Sequence, residues 1–384
     1  MRRRLLRAFG TLSAPLVPRA ASALPRSPRI LLIRPDHIGD LLFATPALRG
    51  LRTAFPDAHL ACMLGPWGKP VLEGNPHLDE IIVCDFPAFG RRPKTSVVAP
   101  YRTLLSWAGE LRRHRFDLAI VLRFDHWWGA LLAHVTGIPR RLGYAVPECE
   151  PFLTHALPYV SERHEVQQNW DLVRQASQLG RRPLPERAGT LEFPIRDQDR
   201  AVVAAHLAER GVTSDTDLMA IHPGAGAPVK LWRPEAFAQV ADVLSSRYQV
   251  VPVISGGPGE LDLAWSVYGH MRAESIVAAG DTSLGELAAL FQRCRLVVGP
   301  DCGPLHLAVA LGTPTVHLYG PVDAGRFGPW GDPLKNVVVT SQRECIPCNR
   351  LDYRTEELPC HPCVREITPE AVVDAADRLL AAEE

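Results

Sequence analysis

No stretch of this sequence approaches the ~20 consecutive apolar residues that a membrane-spanning helix requires. A secretory signal is missing as well. It would need an apolar run of roughly 7–15 residues after the basic start, and Leu5–Leu6 and Leu16–Val17 are too short and are broken by arginine and proline. Net charge is absent too: 42 basic and 42 acidic residues cancel, which argues against nucleic-acid binding through bulk electrostatics. Neither the dinucleotide fingerprint G-x-G-x-x-G after a strand nor the P-loop pattern with its Lys-Ser/Thr occurs, so a nicotinamide dehydrogenase is disfavoured.

What is present suits a globular protein. A chain of 384 residues, 46% hydrophobic and 22% charged, is long enough for two ordinary domains with real cores. The charge balance hides an asymmetry, because residues 1–29 carry seven arginines and no acid, leaving 35 basic against 42 acidic residues elsewhere, a net of −7. Residues 1–28 read in one of two ways. Either they tether the chain to anionic lipid, with Arg on one side and Leu5, Leu6, Phe9 and Leu12 on the other, or they form a disordered extension before a domain that starts near Pro28. The chain is expected in the cytoplasm, at most peripheral on the inner membrane. Cys62, Cys84, Cys149, Cys294 and Cys302 stand singly and read as reduced, mostly buried thiols.

Beyond the basic head, short apolar runs alternate with amphipathic segments. Strands are expected at Ile30–Ile33, His59–Leu64, Ile81–Cys84 and Leu118–Leu122, with helices at Pro46–Ala54 and Leu104–His114. The second half repeats the plan, with strands at Leu218–Ile221, Val250–Ile254, Leu296–Val298 and Thr315–Leu318, and helices at Pro234–Arg247, Leu284–Cys294 and Pro304–Leu311. This alternation is that of parallel sheets covered on both faces. The expectation is therefore an α/β chain of two Rossmann-like, doubly wound domains facing each other across a cleft. Their boundary should lie in the polar stretch between about Phe193 and Thr216. Ligands of such sheets bind outside the carboxyl ends of the strands, which directs attention to Gly39–Asp40, His222–Lys230, Gly256–Glu260 and Gly299–His306.

These loops carry suitable chemistry. In Pro223-Gly224-Ala225-Gly226-Ala227 small residues let backbone N–H groups approach a phosphate, and the N-terminus of the next helix adds a favourable dipole. An ordinary strand-to-helix turn would look the same. Lys230 stands where an ammonium can neutralise a diphosphate. Asp301 falls just beyond a strand, and backbone donors at Cys302, Gly303 and Leu305 converge on a second side of such a group. His306 is either a ligand contact or a packed histidine. Asp40 can accept a proton from an attacking hydroxyl, or it can cap the following helix. Trp127–Trp128 either line a groove or pack on the sheet.

Taken together, ILLIRPDHIGDLLFATPALRGLR, DLAIVLRFDHWWGALLAHVTGIPRRLGY, HPGAGAPVKLWRPEAFAQVADVL, the Gly256–Glu260 turn and LVVGPDCGPLHLAVALGTPTVHLYGP resemble glycosyltransferase family 9, the ADP-heptose:lipopolysaccharide heptosyltransferases. The resemblance runs from about Arg29 to Pro321. It implies a GT-B fold, with an acceptor domain over 29–200, a nucleotide-sugar donor domain over 201–340, and a Cys-rich loop and helix over 341–384. It further implies inverting transfer of a sugar, typically heptose, onto an anionic lipopolysaccharide-core or related glycolipid, with no cofactor needed for catalysis. On this resemblance Asp40 is the general base, and Arg34 lies near the acceptor and donor phosphates. Lys230 grips the donor diphosphate, Glu260 meets the nucleoside, and Asp301, Gly303 and His306 surround the diphosphate and sugar. Cys302 stands where the family has a hydroxyl residue, so backbone donation survives there and side-chain donation does not.

Arg91, Arg92, Lys94, Arg123 and Arg141 suit an anionic acceptor, or form a solvated surface. The spacing Asp215-x-Asp217 precedes a strand and reads as solvated, not as the metal-binding D-x-D of other transferases. Cys345, Cys348, Cys360 and Cys363 form C-x2-C-x11-C-x2-C, which suits a structural zinc or a metal-free loop. Competing readings are a transferase of another nucleotide sugar, a sugar-nucleotide epimerase on the same fold, and a non-catalytic sugar-binding protein.

Overall fold

Burial of apolar runs on both faces builds the two sheets. The computed structural model describes Leu6, Gly10, Ser13 and residues 23–87, 89, 98–280 and 282–381. The chain divides into two compact units, Met1–Gly189 and Thr190–Glu384. In the first, the elements run β1 (Arg29–Arg34), α1 (Ile38–Leu42), α2 (Thr45–Ala54), β2 (His59–Leu64), α3 (Lys69–Leu72), β3 (Glu80–Val83), α4 (Ala99–His114), β4 (Leu118–Val121), α5 (Trp127–Thr136), β5 (Arg140–Tyr144), β6 (His155–Leu157) and α6 (Glu165–Gly180). The second continues with α7 (Asp197–Ala208), β7 (Leu218–Ile221), α8 (Pro234–Tyr248), β8 (Val251–Ile254), α9 (Leu261–His270), β9 (Ile276–Val277), α10 (Leu284–Gln292), β10 (Cys294–Pro300), α11 (Gly303–Leu311), β11 (Thr315–Tyr319), α12 (Ala324–Phe327), β12 (Asn336–Thr340) and α13 (Pro369–Leu380).

Both sheets have six parallel strands, in the orders β3-β2-β1-β4-β5-β6 and β12-β11-β10-β7-β8-β9. Renumbered within its own unit, the second order is the same as the first, 3-2-1-4-5-6 read from its other edge. This is the doubly wound arrangement, whose direction reverses between its first and fourth strands. The reversal falls between β1 and β4 in one unit and between β7 and β10 in the other. The central strands are buried on both faces, β4 and β7 completely, as parallel strands under two helical layers must be.

Local chemistry sets the helix ends. Pro46 and Pro234 stand in the first turns of α2 and α8, where a missing N–H costs nothing. His164 caps α6 by accepting the Val166 amide at 3.1 Å. Ser283 and Glu286 close a reciprocal capping box on α10. Thr368 caps α13 by accepting from the Ala371 amide.

Three expectations need correction. The division falls at Gly189, ahead of the expected 200/201, because α7 packs on α10 and so belongs to the second unit. Residues 341–384 join that unit as well: α13 packs on α8, and its apolar face completes the second core. In the basic head, Leu6 is buried in the first core and Ser13 lies 2.8 Å from the His134 ring, so Leu6 does not face outward towards lipid. Leu5, Phe9 and Leu12 lie outside the described residues. No described helix is long and apolar enough to cross a membrane.

Candidate active site

In the first unit the polar residues gather at the carboxyl ends of β1 and β4, where the strand order reverses. Arg34 is the last residue of β1, and its side chain is only 2% exposed. Its guanidinium meets Asp36 at 2.8 Å, Asp40 at 3.2 Å and Glu165 at 3.4 Å, and donates to Asn169 Oδ1 at 3.3 Å. Arg123, just past β4, bonds to Asp36, reaches Asp125 at 2.6 Å, and lies over the Phe89 ring at 5.3 Å. The Trp67 indole donates to the Asp36 carbonyl at 2.8 Å and braces the loop that carries these groups.

Charge counting explains the state of Asp40. The guanidiniums of Arg34 and Arg123 face four carboxylates, Asp36, Asp40, Asp125 and Glu165, and Asp36 takes the shorter contact with Arg34 and a second from Arg123. Asp36 is accordingly held below the ordinary carboxyl range: burial opposes this, and Arg34 and Arg123 prevail. Asp40 keeps only the longer contact. Burial, followed by repulsion from Asp36 and Glu165, raises its pKa to about 6. Its side chain remains 31% exposed and so is open to solvent. Asp40 is the third residue of α1, and His37 holds the cap position, so the capping reading of Asp40 fails.

Other members of the cluster carry no signal in local sequence. Glu165 and Asn169 lie 131 and 135 positions from Arg34 and arrive only because α6 packs on α2. His126 is edge-on to Phe86 and Phe89 at 5.3 and 5.5 Å. Burial lowers its pKa to about 3, so the ring is neutral.

In the second unit the same topological position is occupied by the ends of β7 and β10. His222 directly follows β7, is buried, and pairs with Ser255 Oγ at 3.0 Å. Burial brings its pKa down to about 4 despite Glu260 at 3.9 Å. Gly299, in β10, meets β7 so closely that a Cβ would sit 2.5 Å from the His222 carbonyl oxygen. Gly224 is constrained from the other side, since its Cβ would lie 2.0 Å from Glu260 Oε1. The glycine thereby lets the Glu260 carboxylate, itself bonded to the Gly257 amide at 2.7 Å, lie across the loop. At Gly226 a Cβ would meet open space.

Lys230 Nζ lies 2.8 Å from Asp301 Oδ2, with side chains 13% and 9% exposed. The His306 ring stands 3.7 Å from the other Asp301 oxygen. Burial alone would raise the Asp301 pKa, but His306 and Lys230 overturn that and hold the carboxyl well below its ordinary range. Asp301 thus positions Lys230 and His306, and its own negative charge is not suited to touching a phosphate. Cys302 caps α11 without a side-chain hydrogen bond, and Gly303 opens the helix.

Several expected roles change. The glycine loop does not run straight into a helix: a turn at Pro228–Lys230 and residues 231–233 intervene before α8, so the loop is not itself the N-terminus of α8. Arg34 is wholly engaged behind Asp40 and does not reach outward. Arg141 is buried and donates to the Phe152 and Ile138 carbonyls, a structural role. Arg91, Arg92 and Lys94 lie outside the described residues. Trp128 is buried, donating to the Pro100 carbonyl at 3.0 Å, and packs edge-on against Phe86. Asp217 pairs with Arg295 at 3.0 Å. A second such spacing, Asp197-x-Asp199, opens α7, where both carboxylates pair with Arg200 and Arg196. The nine cysteines form no disulfide. Among the described residues no three His, Cys, Asp or Glu side chains converge as a metal-binding set, and this includes Cys345, Cys348, Cys360 and Cys363.

The chain matches the profile of glycosyltransferase family 9 (heptosyltransferase) over residues 104–358, well over half its length. It is 26% identical to lipopolysaccharide heptosyltransferase 3 of Escherichia coli, covering 89% of this chain and 96% of that protein. It is 24% identical to lipopolysaccharide heptosyltransferase 2 of Escherichia coli K12, covering 93% and 99%. A family 9 glycosyltransferase structure from Veillonella parvula superposes with a TM-score of 0.78 at 27% identity, covering 94% of this chain and all of that one. The structure of Escherichia coli ADP-heptose heptosyltransferase II, 22% identical and covering 92% and 99%, superposes at 0.72 and shares the two-domain α/β, GT-B fold. The chain belongs to glycosyltransferase family 9 and is a glycosyltransferase.

Proposed function

We propose that the chain moves heptose from ADP-heptose onto the lipopolysaccharide core or a related anionic glycolipid, inverting the anomeric centre without a divalent cation. The names of its relatives supply the donor and acceptor class. The observation that carries the mechanism is Asp40, a carboxylate with a pKa of about 6 held by a buried arginine and still open to solvent. A base whose pKa lies near neutrality is ionised at pH 7 and retains useful proton affinity. Asp40 takes the proton from the acceptor hydroxyl as that oxygen bonds to the anomeric carbon, and the bond to the nucleoside diphosphate breaks on the opposite face.

The second unit meets the charge that develops on the leaving group. Lys230 supplies an ammonium, Gly224–Gly226 supply backbone donors in a loop that is open at Gly226, and the N-terminus of α11 supplies more. Glu260 follows the second strand of its unit. In doubly wound folds an acid near there bonds ribose hydroxyls, and Glu260 takes that part here. An ADP-sugar donor puts the reaction on the cytoplasmic side.

Calorimetric titration with ADP-heptose, UDP- and GDP-sugars in the presence of a chelator tests the donor assignment. Selective binding of the adenine compound is expected. Preference for a uridine or guanosine sugar would keep the transferase and replace the heptose.

A further inference from the structure

Helix α4 buries one side and leaves a mixed apolar and basic face in water. Its buried side is Leu104, Ala108 and Leu111, which join the first core, and the helix packs on α5. On the opposite side, positions 98, 101, 102, 105, 112 and 113 share one face at helical spacing. Three of these are large apolar side chains: Val98 is 54% exposed, Tyr101 44% and Leu105 63%. The other three are Arg102, Arg112 and Arg113, all exposed, and Arg115 follows at the helix end. Glu110 is the one acid between Val98 and Arg115, and it pairs with Arg113 at 2.8 Å. Arg112 donates to the Val135 carbonyl at 2.8 Å. Among the described residues the guanidiniums of Arg102 and Arg115 have no protein partner.

Single exposed apolar residues are ordinary, whereas several in one stripe mark a contact surface. Charge decides what kind. A second stripe, Leu261, Trp265 and Tyr268, lies exposed on α9. That helix contains Asp262 and neither lysine nor arginine, and it directly follows Glu260, so it offers nothing to an anionic partner. The α4 stripe is flanked by arginine on both sides. Its place in the fold matters as well. The first turn of α4 stands at the carboxyl end of its sheet, where the Trp128 indole donates to the Pro100 carbonyl at 3.0 Å. Arg123 and Asp40 lie at that same end.

We propose that this face of α4 is the docking surface for an anionic lipid bilayer. Val98, Tyr101 and Leu105 enter the headgroup boundary, and Arg102, Arg112 and Arg113 meet the lipid phosphates. Arginine stems lie along apolar surface while their guanidiniums stay among the headgroups. Buried apolar area and attraction to anionic lipid together hold a helix in the plane of a membrane. Docking requires no refolding, because the face is already exposed while Leu104, Ala108 and Leu111 stay in the core. The described part of the basic head does not supply such a face, since Leu6 is buried in the first core. Docking through α4 brings the carboxyl end of the sheet to the membrane, where a lipid-borne acceptor is presented. Only this use of the surface rests on the function proposed above.

Flotation of the full-length chain with vesicles tests the docking without any sugar substrate. Phosphatidylcholine vesicles with about 30% phosphatidylglycerol should carry the protein upward, pure phosphatidylcholine vesicles should not, and about 0.5 M salt should release it. Leu105→Glu should lower the partition coefficient at least about tenfold, and Arg102→Gln and Arg113→Gln about fivefold each. All three positions are exposed, so the variants should melt with the wild type. The triple variant Arg2→Gln/Arg3→Gln/Arg4→Gln, in the basic head, should bind as the wild type does. No flotation with either vesicle, equal flotation with both, or binding unchanged by the α4 variants would overturn the proposal. Loss of binding in the head variant alone would also overturn it. So would a dimer in solution that Leu105→Glu breaks, since the face would then belong to a second copy of the chain.

Discussion

Replacing Asp40 by Asn should make the fold more stable and the enzyme nearly inactive. The carboxylate is held where its ionisation is disfavoured, so its pKa rises from 3.8 to about 6. At full weight such a shift corresponds to about 3 kcal/mol against the folded state once the group is ionised. Solvent at the open third of the side chain screens part of this, leaving about 1–2 kcal/mol. The sign follows from the raised folded pKa. The carboxyl's contribution is intact below the unfolded value of 3.8 and is lost as pH rises through about 6. The gain from Asp40→Asn should therefore be about half developed at pH 5 and complete above pH 7. Arg34 keeps Asp36, Glu165 and Asn169, so no buried cation is orphaned. Urea unfolding at pH 5 and pH 8 measures the difference. For activity, kcat/KM of the wild type should climb with an apparent pKa near 6, and the variant should lose about 10²–10⁴-fold in turnover. A variant less stable than wild type at pH 8, or one that turns over normally, would refute the reasoning.

Other perturbations follow from the same geometry. Arg34→Met removes the cation shared by Asp36, Asp40 and Glu165, leaves Asp36 its pairing with Arg123, and should cost about 3–5 kcal/mol in unfolding experiments, while Arg34→Lys should fold and move the ascending pH limb upward. Lys230→Ala should weaken ADP-sugar binding in calorimetry and slow turnover by about 10²-fold or more, because it removes the ammonium that would neutralise the leaving group. Gly224→Ala forces Glu260 off the loop and should weaken donor binding about tenfold or more, whereas Gly226→Ala projects into open space and should leave the apo fold unchanged by thermal melting.

The strands were the most legible part of the chain. Strands β2 and β7 fall on their expected residues, and β1, β4, β10 and β11 within two residues of theirs, because parallel strands buried on both faces read as short apolar runs. Helix α5 was not legible: Trp127–Thr136 is apolar nearly all round and so shows no helical period. Helix α6 lies in a polar stretch, and its start is marked only by His164, an unusual cap. The division between units was placed late because α7 is polar enough to resemble a linker, yet it buries Val203 and Leu207 in the second unit.

The site divides in the same way. Asp301 follows β10 directly, and Asp40 and Lys230 lie in the first segments after β1 and β7, so strand ends and residue chemistry point to them. Glu165, Asn169 and Ser255 reach their partners through tertiary packing, and nothing in local spacing announces them. The place of Arg34 near the phosphates is implied by the family resemblance alone, and nothing in the motif itself shows how deeply the side chain is buried. Its burial against three carboxylates became visible only once β1, α1 and α6 were assembled.

The most direct test of the central claim is a transfer assay by mass spectrometry, with ADP-heptose and a heptose-deficient lipopolysaccharide core in chelator-containing buffer, run beside Asp40→Asn. The expected result is one added heptose with wild type and none above background with the variant. No transfer by wild type onto any core acceptor, or equal transfer by the variant, would contradict the account.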